Sequence, residues 1–290
     1  MIIMNIPVIY VKGKNLPEAW EKSVLETWFK GISIKTEYDK PGDPPSKDTT
    51  MIIEVLEPLS EPRIHLAGIP GEFSDLEIYR QEVVYGVHDH WIDPESGKWS
   101  YTYHERLFNY RFRRDDKGID QIKYVVEKLS KVPYTRRSQA ITWNPRIDPL
   151  SSDPPCLQRI WFRLLEKNGV FYLNMNTHWR SRDAFKAAFM NMYALIDLQK
   201  HIAEKISEKI GRKVLVGRYV DISDSYHIYG SYFNEIKGFL KTVEKRDFYN
   251  PKITMSRTIR SNHPLVKKGF EKGKRELEHE KKYGLKGVRK

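Results

Sequence analysis

The chain has 290 residues, 40% of them hydrophobic and 30% charged, with 50 Lys+Arg against 38 Asp+Glu for a formal net charge of +12. Its single cysteine excludes an internal disulfide scaffold, no apolar run approaches the ~18 residues of a spanning helix, and 7 Trp, 17 Tyr and 12 Phe exclude wholesale disorder. The basic excess attracts anions: nucleic acid, phosphorylated metabolites or polyglutamylated cofactors. The stretch from Met1 to Pro7 has no basic leader and no small-residue cleavage site, which predicts a cytoplasmic protein.

In chain order, Ile2 to Val11 alternates as a strand. Asn15-Leu16-Pro17-Glu18 carries a helix N-cap and a first-turn acid, and the helix it opens is expected to stop at Gly31. Pro41 to Asp48 is crowded with Pro, Gly and Asp and is expected to be a loop, followed by a strand over Met51 to Leu56. Leu76 to Val87 has apolar residues at helical spacing, and Asp93 to Gly97 is turn chemistry. A further helix is expected over Ile119 to Leu129, closed by Pro133. Ile160 to Leu165 and Val170 to Met175 are two strands around the hairpin signal Lys167-Asn168-Gly169. Ala184 to Ile210 is the strongest helical stretch and ends at Gly211. Strands and helices are mixed throughout, so the fold class is α+β, with one domain over 1–265 and a basic, helical tail over 266–290.

The lone cysteine lies in Ser151-Ser152-Asp153-Pro154-Pro155-Cys156-Leu157. Two prolines stiffen its approach, and no apolar periodicity surrounds it. A thiolate nucleophile needs nearby positive charge to bring its pKa down from ~8.5, and Arg136-Arg137 and Arg180-Ser181-Arg182 are the candidates. His88-Asp89-His90 would put two imidazoles on one face of a strand, but no third ligand is evident and no metal is expected.

Thr135-Arg136-Arg137, Trp143-Asn144, Pro155-Cys156, Arg180-Ser181-x-Asp183, Asn191 and His227-Ile228-Tyr229 follow one another in a fixed order. Together with Tyr101-x-x-x-x-Arg106 and the run from Asp120 to Pro133, this set resembles the thymidylate synthase family, and its short archaeal-type members most of all. The resemblance covers roughly Leu76 to Tyr232. It implies a mixed β-sheet packed with helices, a sheet-to-sheet homodimer, and methylation of deoxyuridine monophosphate at C5 to give thymidine monophosphate. Uracil C5 is a poor nucleophile, so such an enzyme adds a thiolate at C6 and works through the resulting enolate.

On this resemblance Cys156 is the nucleophile, and Arg180 lowers its pKa while holding a phosphate oxygen. Ser181 donates to the same phosphate, and Arg136 and Arg137 reach it across the dimer interface, where their forks suit phosphate geometry. Asn191 both donates and accepts, and so favours uracil over cytosine. His227 and Tyr229 match residues that bind the ribose 3′-hydroxyl, and Asp183 one that contacts the pterin ring. Tyr101 matches a tyrosine implicated in removing the C5 proton, and Glu82 a glutamate that organises proton transfer. The implied one-carbon donor is 5,10-methylenetetrahydrofolate or a related methylene-tetrahydropterin.

The departures cluster on the cofactor side. Lys186-Ala187-Ala188 stands where family members carry a glycine, and Leu157 where many have histidine. His88 stands for a tryptophan that shields the reactive methylene from water. Lys40 and Lys47 are the candidates to replace the arginine of the N-terminal phosphate loop. An apolar C-terminal tail that would close over the folate is missing, and the chain runs on through Lys290. With the shield altered, a pyrimidine nucleotide 5-hydroxymethylase is the alternative activity. A non-enzymatic RNA-binding protein is a lesser one, because no compact aromatic-basic motif marks a nucleic-acid partner.

Overall fold

In the computed structural model, which describes residues 5–96 and 99–283, the first capping signal acts as the sequence predicts. Asn15 Oδ1 accepts from Glu18 N at 3.1 Å, and the helix closes at Gly31, whose N–H donates to Thr27 O. The elements in chain order are β1 (Val8–Gly13), α1 (Leu16–Lys30), β2 (Ile32–Ile34), β3 (Ser46–Val55), β4 (Ile64–His65), α2 (Phe73–Tyr85), α3 (Tyr103–Phe108), α4 (Gln121–Lys131), β5 (Gln139–Ile141), β6 (Leu157–Lys167), β7 (Val170–Asp183), α5 (Ala188–Ile210), β8 (Val214–Ile228), α6 (Phe233–Lys245), β9 (Thr258–Ile259) and α7 (Pro264–Tyr283). They group into two compact units, each built from three chain segments. The first holds 1–70, 175–192 and 217–261; the second holds 71–174, 193–216 and 262–290. Strands β7 and β8 and helix α5 contribute residues to both.

The first unit is a mixed sheet with α1 and α6. β1 pairs parallel with β3, while β2 and β8 pair antiparallel with it; β7 follows β8 in the strand order. Trp20 on α1 is the centre of its core. The indole is fully buried, its Nε1 donates to Ala184 O at 2.9 Å, and the rings of His65, Phe185, Phe189 and Phe239 surround it. An unpaired buried charge is costly, and the buried charged groups around this core are paired. Glu21 accepts a fork from Arg257 at 2.7 and 3.0 Å and also pairs with His65 at 3.0 Å. Asp221 Oδ2 accepts from Arg182 at 2.7 Å, Tyr219 at 2.8 Å, Thr177 at 3.0 Å and Trp179 at 3.1 Å.

In the second unit, β6 and β7 form the predicted hairpin, and Asn168 and Gly169 turn it with φ of 51° and 78°. Both residues sit in the left-handed region, which is what a two-residue hairpin of right-twisted strands requires. β5 adds antiparallel to β6. The basic C-terminal stretch through Tyr283 is α7, which lies against α2. A Cβ at Gly273 would come within 2.8 Å of Ser74 O, and Lys272 Nζ pairs with Glu72 at 2.5 Å.

Four local expectations are corrected. Ser46 to Asp48, read as loop, is the start of β3; pairing with β2 and β8 and the bonds of Ser46 and Asp48 side chains outweigh the local turn chemistry. α5 begins at Ala188 rather than Ala184, because the Asp183 carboxyl accepts from the N–H groups of Phe185 and Lys186, both at 2.9 Å, and holds a turn. α2 ends before Val87, since Gly86 caps it in the left-handed conformation at φ 64°. His88-Asp89-His90 is no strand: Asp89–Trp91 is one 3-10 turn.

Candidate active site

Within the second unit, Cys156 sits half-buried at the end of an irregular stretch, one residue before β6. Its position is pinned from both sides. Gln158 Nε2 donates to Pro155 O at 2.8 Å, Thr142 Oγ1 donates to Leu157 O, and Thr142 N donates to Gln158 O at 3.0 Å. Leu157 is fully buried, so the thiol is anchored by the first core residue of a strand. Tyr101 lies within electrostatic reach of Cys156 and Asp153 and shares a hydrogen bond with Tyr103; burial is the main cause that pushes its phenol far above the ordinary value. The structure therefore brings Tyr101 and Cys156 together.

Beneath them runs a buried polar network. Arg106 donates to Asp148 at 2.7 and 3.3 Å and to Thr142 O at 3.1 Å, and its guanidinium lies 5.7 Å from the Tyr101 ring centre. Asp148 also accepts from Asn144 N at 2.6 Å. Arg106 and Asn144 belong to the motifs singled out in the sequence. Asp148 does not, and nothing near it in the chain announces that it balances an arginine 42 positions away.

Glu82 belongs to another cluster of this unit. Its Oε2 lies 2.9 Å from His88 Nδ1, and Glu280 on α7 lies 3.5 Å from His88 Nε2 and 3.4 Å from His90 Nε2. His88 is buried and stacks on Trp91 with ring centres 3.7 Å apart. Among the described residues no group of three or more His, Cys, Asp or Glu is arranged to hold a metal ion. Arg136 and Arg137 sit on the turn before β5 with both side chains exposed, while Thr135 and Ser138 on either side are buried.

The first unit holds the remaining candidates. Arg180 and Ser181 are half-buried near the end of β7, and Asn191 is half-buried in the first turn of α5. Arg182 is not available as a neighbour for a thiolate, since it is committed to Asp221 and stacks 3.7 Å over Trp179. The Asp183 carboxyl is raised by burial, against the lowering effect of its two backbone donors. Lys186 pairs with Glu235 at 2.8 Å and lies 4.0 Å from the Tyr232 ring centre. Lys47 donates weakly to Gly31 O at 3.4 Å, and Lys40 is exposed in a turn.

His227 is 5% exposed, and burial takes its pKa down to about 4, so its imidazole is neutral at physiological pH. Its ring packs 4.6 Å from that of Tyr229, which also meets Tyr38 and Tyr232 edge-on. Its Nδ1 lies 3.2 Å from Ser225 Oγ, and Ser225 Oγ donates to Asp48 at 2.9 Å. Asp48 is opposite His227 in the β3–β8 register. Sequence reasoning missed both partners. Ser225 had a usable signal, being two residues from His227 on a strand and so on the same face; Asp48 had none.

The thymidylate synthase family model matches residues 73–271. Three relatives carry the name "Putative thymidylate synthase". That of Methanocaldococcus jannaschii is 31% identical over 231 residues, 77% of this chain and 91% of the relative. That of Methanopyrus kandleri is 32% identical over 197 residues, 68% and 84% respectively. That of Methanosarcina barkeri is 27% identical over 227 residues, 77% and 94%. The match runs through the segments that hold Cys156, Tyr101, Arg180, Asn191 and His227, and the chain belongs to the thymidylate synthase family.

Proposed function

We propose that this protein is a C5 one-carbon transferase that converts deoxyuridine monophosphate to thymidine monophosphate. The observation that carries the reading is the pinned, half-buried Cys156 with the half-buried Tyr101 phenol in its electrostatic reach. The Cys156 thiolate adds to uracil C6, and the electron pair moves through C5 onto O4. Asn191 pairs with O4 and N3–H and so selects uracil. Arg180 and Ser181 take the phosphate, with Arg136 and Arg137 supplied by a second copy. Their exposure in the single chain supports that assignment, as do the outward-facing Val8 and Tyr10 of β1 for a sheet-to-sheet homodimer. C5 then takes up the one-carbon unit and loses its proton on the Tyr101 side. Burial keeps the phenol protonated, so its oxygen takes part through a lone pair rather than as phenolate. Glu82, held by His88, organises the proton's onward path. Elimination of the Cys156 thiolate restores the ring.

The donor, 5,10-methylenetetrahydrofolate or a related methylene-tetrahydropterin, would supply both the carbon and the hydride that reduces it to methyl, leaving as the dihydropterin. Asp183 fits such a group: a half-buried carboxyl fixed by two backbone donors is suited to the N–H edge of a reduced pterin. His88 stacked on Trp91 in place of a tryptophan favours one second reading, a 5-hydroxymethylase in which water captures the activated carbon.

The test is mass spectrometry of the nucleotide after incubation with deoxyuridine monophosphate and methylenetetrahydrofolate. A methylated nucleotide is expected, a hydroxymethylated one moves the assignment to the second reading, and an unchanged one with either pterin overturns both.

A further inference from the structure

The sugar end of the site carries a relay that the family motifs do not contain. His227 Nε2 is buried and has no hydrogen-bond partner among the described residues, and the same holds for Asp48 Oδ1. Asp48 lies on β3, outside the segment that the family model matches. Its carboxylate can only accept, so the single proton of Ser225 Oγ is spent on Asp48 at 2.9 Å. The hydroxyl then faces His227 Nδ1, 3.2 Å away, with a lone pair. That lone pair requires a proton on Nδ1, and a neutral ring protonated there presents Nε2 as a pure acceptor.

We propose that Asp48 and Ser225 are positioning residues that hold His227 in the Nδ1–H form, so that the site accepts only a sugar able to donate a proton, a free 3′-hydroxyl. The inference rests on the reading above that His227 marks the sugar end of a nucleotide site. A 3′-deoxy sugar leaves Nε2 unpaired. A 3′-phosphate or a phosphodiester offers no proton at that oxygen, and it brings negative charge toward Asp48 and toward Asp39, which also acts electrostatically on the His227 ring. The substrate is thereby restricted to mononucleotides, and uracils within a polynucleotide chain are refused.

The experiment has a ligand-free arm and a binding arm. Nitrogen NMR of the free protein, with the His227 signals assigned by loss in His227→Gln, reads the tautomer. The Nδ1–H form is expected in the parent protein, with a shift toward Nε2–H in Ser225→Ala and return in Ser225→Thr. An Nε2–H ring in the parent protein overturns the relay whatever the protein binds. Calorimetry then compares deoxyuridine monophosphate, 2′,3′-dideoxyuridine monophosphate and deoxyuridine 3′,5′-bisphosphate. Ser225→Ala should weaken the first about three- to tenfold and leave the second unchanged, because the lost hydrogen bond exists only with the hydroxyl. Asp48→Asn should narrow the gap between the first and the third. Equal weakening of the first two ligands, or none, overturns the proposal. An Nδ1–H ring in a parent protein that binds none of the three sustains the relay and defeats the nucleotide reading instead.

Discussion

The two units treat their functional side chains in opposite ways. In the first, most candidates lie on or beside strands, with Asn191 in the first turn of α5, and polar networks run beside them, such as Asp48–Ser225–His227 and the buried Arg182–Asp221 pair next to Arg180. In the second, Cys156 follows an irregular stretch and Arg136 and Arg137 stand on an exposed turn. Recognition of a fixed ligand shape gains from rigid neighbours that have already lost their water. The proposed nucleophile, which adds and later leaves, and the arginines proposed to serve a second copy need access instead.

The largest effect should come from the second unit and leave the first untouched. Cys156→Ala is expected to abolish turnover while deoxyuridine monophosphate still binds, as calorimetry beside a product assay would show. Unchanged turnover would remove the covalent step and with it the contrast.

Next, the first unit should be sensitive in stability where its neighbour residue is not. Asp221→Ala strands the buried Arg182 charge, and urea unfolding should lose on the order of 3–5 kcal/mol. Arg180→Ala, one strand position away from that cluster, should cost less than ~1 kcal/mol while nucleotide binding fails.

A pH titration sharpens the same point. His227 has a folded pKa of about 4 against 6.5 in the unfolded chain, so the unfolded state binds more protons between those values. Stability should therefore rise as pH increases from about 4 to 6.5, by on the order of 3 kcal/mol from this group, and be lost as pH falls back. Asp183, raised by burial, works in the opposite sense: its contribution is present below the ordinary carboxyl value and lost as pH rises through the folded one. Urea midpoints across pH 4–7 should flatten in His227→Gln, and a slope identical to the parent's would contradict the buried neutral ring.

The smallest effect is expected at Lys186→Ala, whose pair with Glu235 is partly exposed. Stability should change by under ~1 kcal/mol, so a changed KM for the pterin in that variant would report on the proposed cofactor side of the site, at the Lys186-Ala187-Ala188 stretch.

What the sequence allowed one to read follows the range of the forces involved. The Asn15 cap, the Asn168-Gly169 turn and the Gly211 stop are settled within four or five residues, and they are legible. The order of the arginine, cysteine, asparagine and histidine motifs was legible because their spacing is a chain property. Neither rule distinguishes Arg180 from Arg182. Period-two alternation puts both on one face, yet Arg182 is buried against Trp179 and Asp221 while Arg180 is half-buried. That outcome depends on an aspartate 39 residues later. Asp48 was hidden for the same reason: its partner Ser225 is 177 residues away, and its own neighbourhood, rich in Pro and Gly, argues for a loop.

The packing of α7 on α2 has a consequence for how the protein is made. Glu72 and Lys272 meet across 200 residues of chain, and the three segments of the first unit have all been synthesised by residue 261. A ribosome adding ~5–20 residues per second therefore exposes α2 for on the order of ten seconds or more before its covering helix exists. During that interval Phe73, Ser74 and Glu77 lack the surface that later packs against them, and the nascent chain presents a helix face that a holding chaperone could occupy.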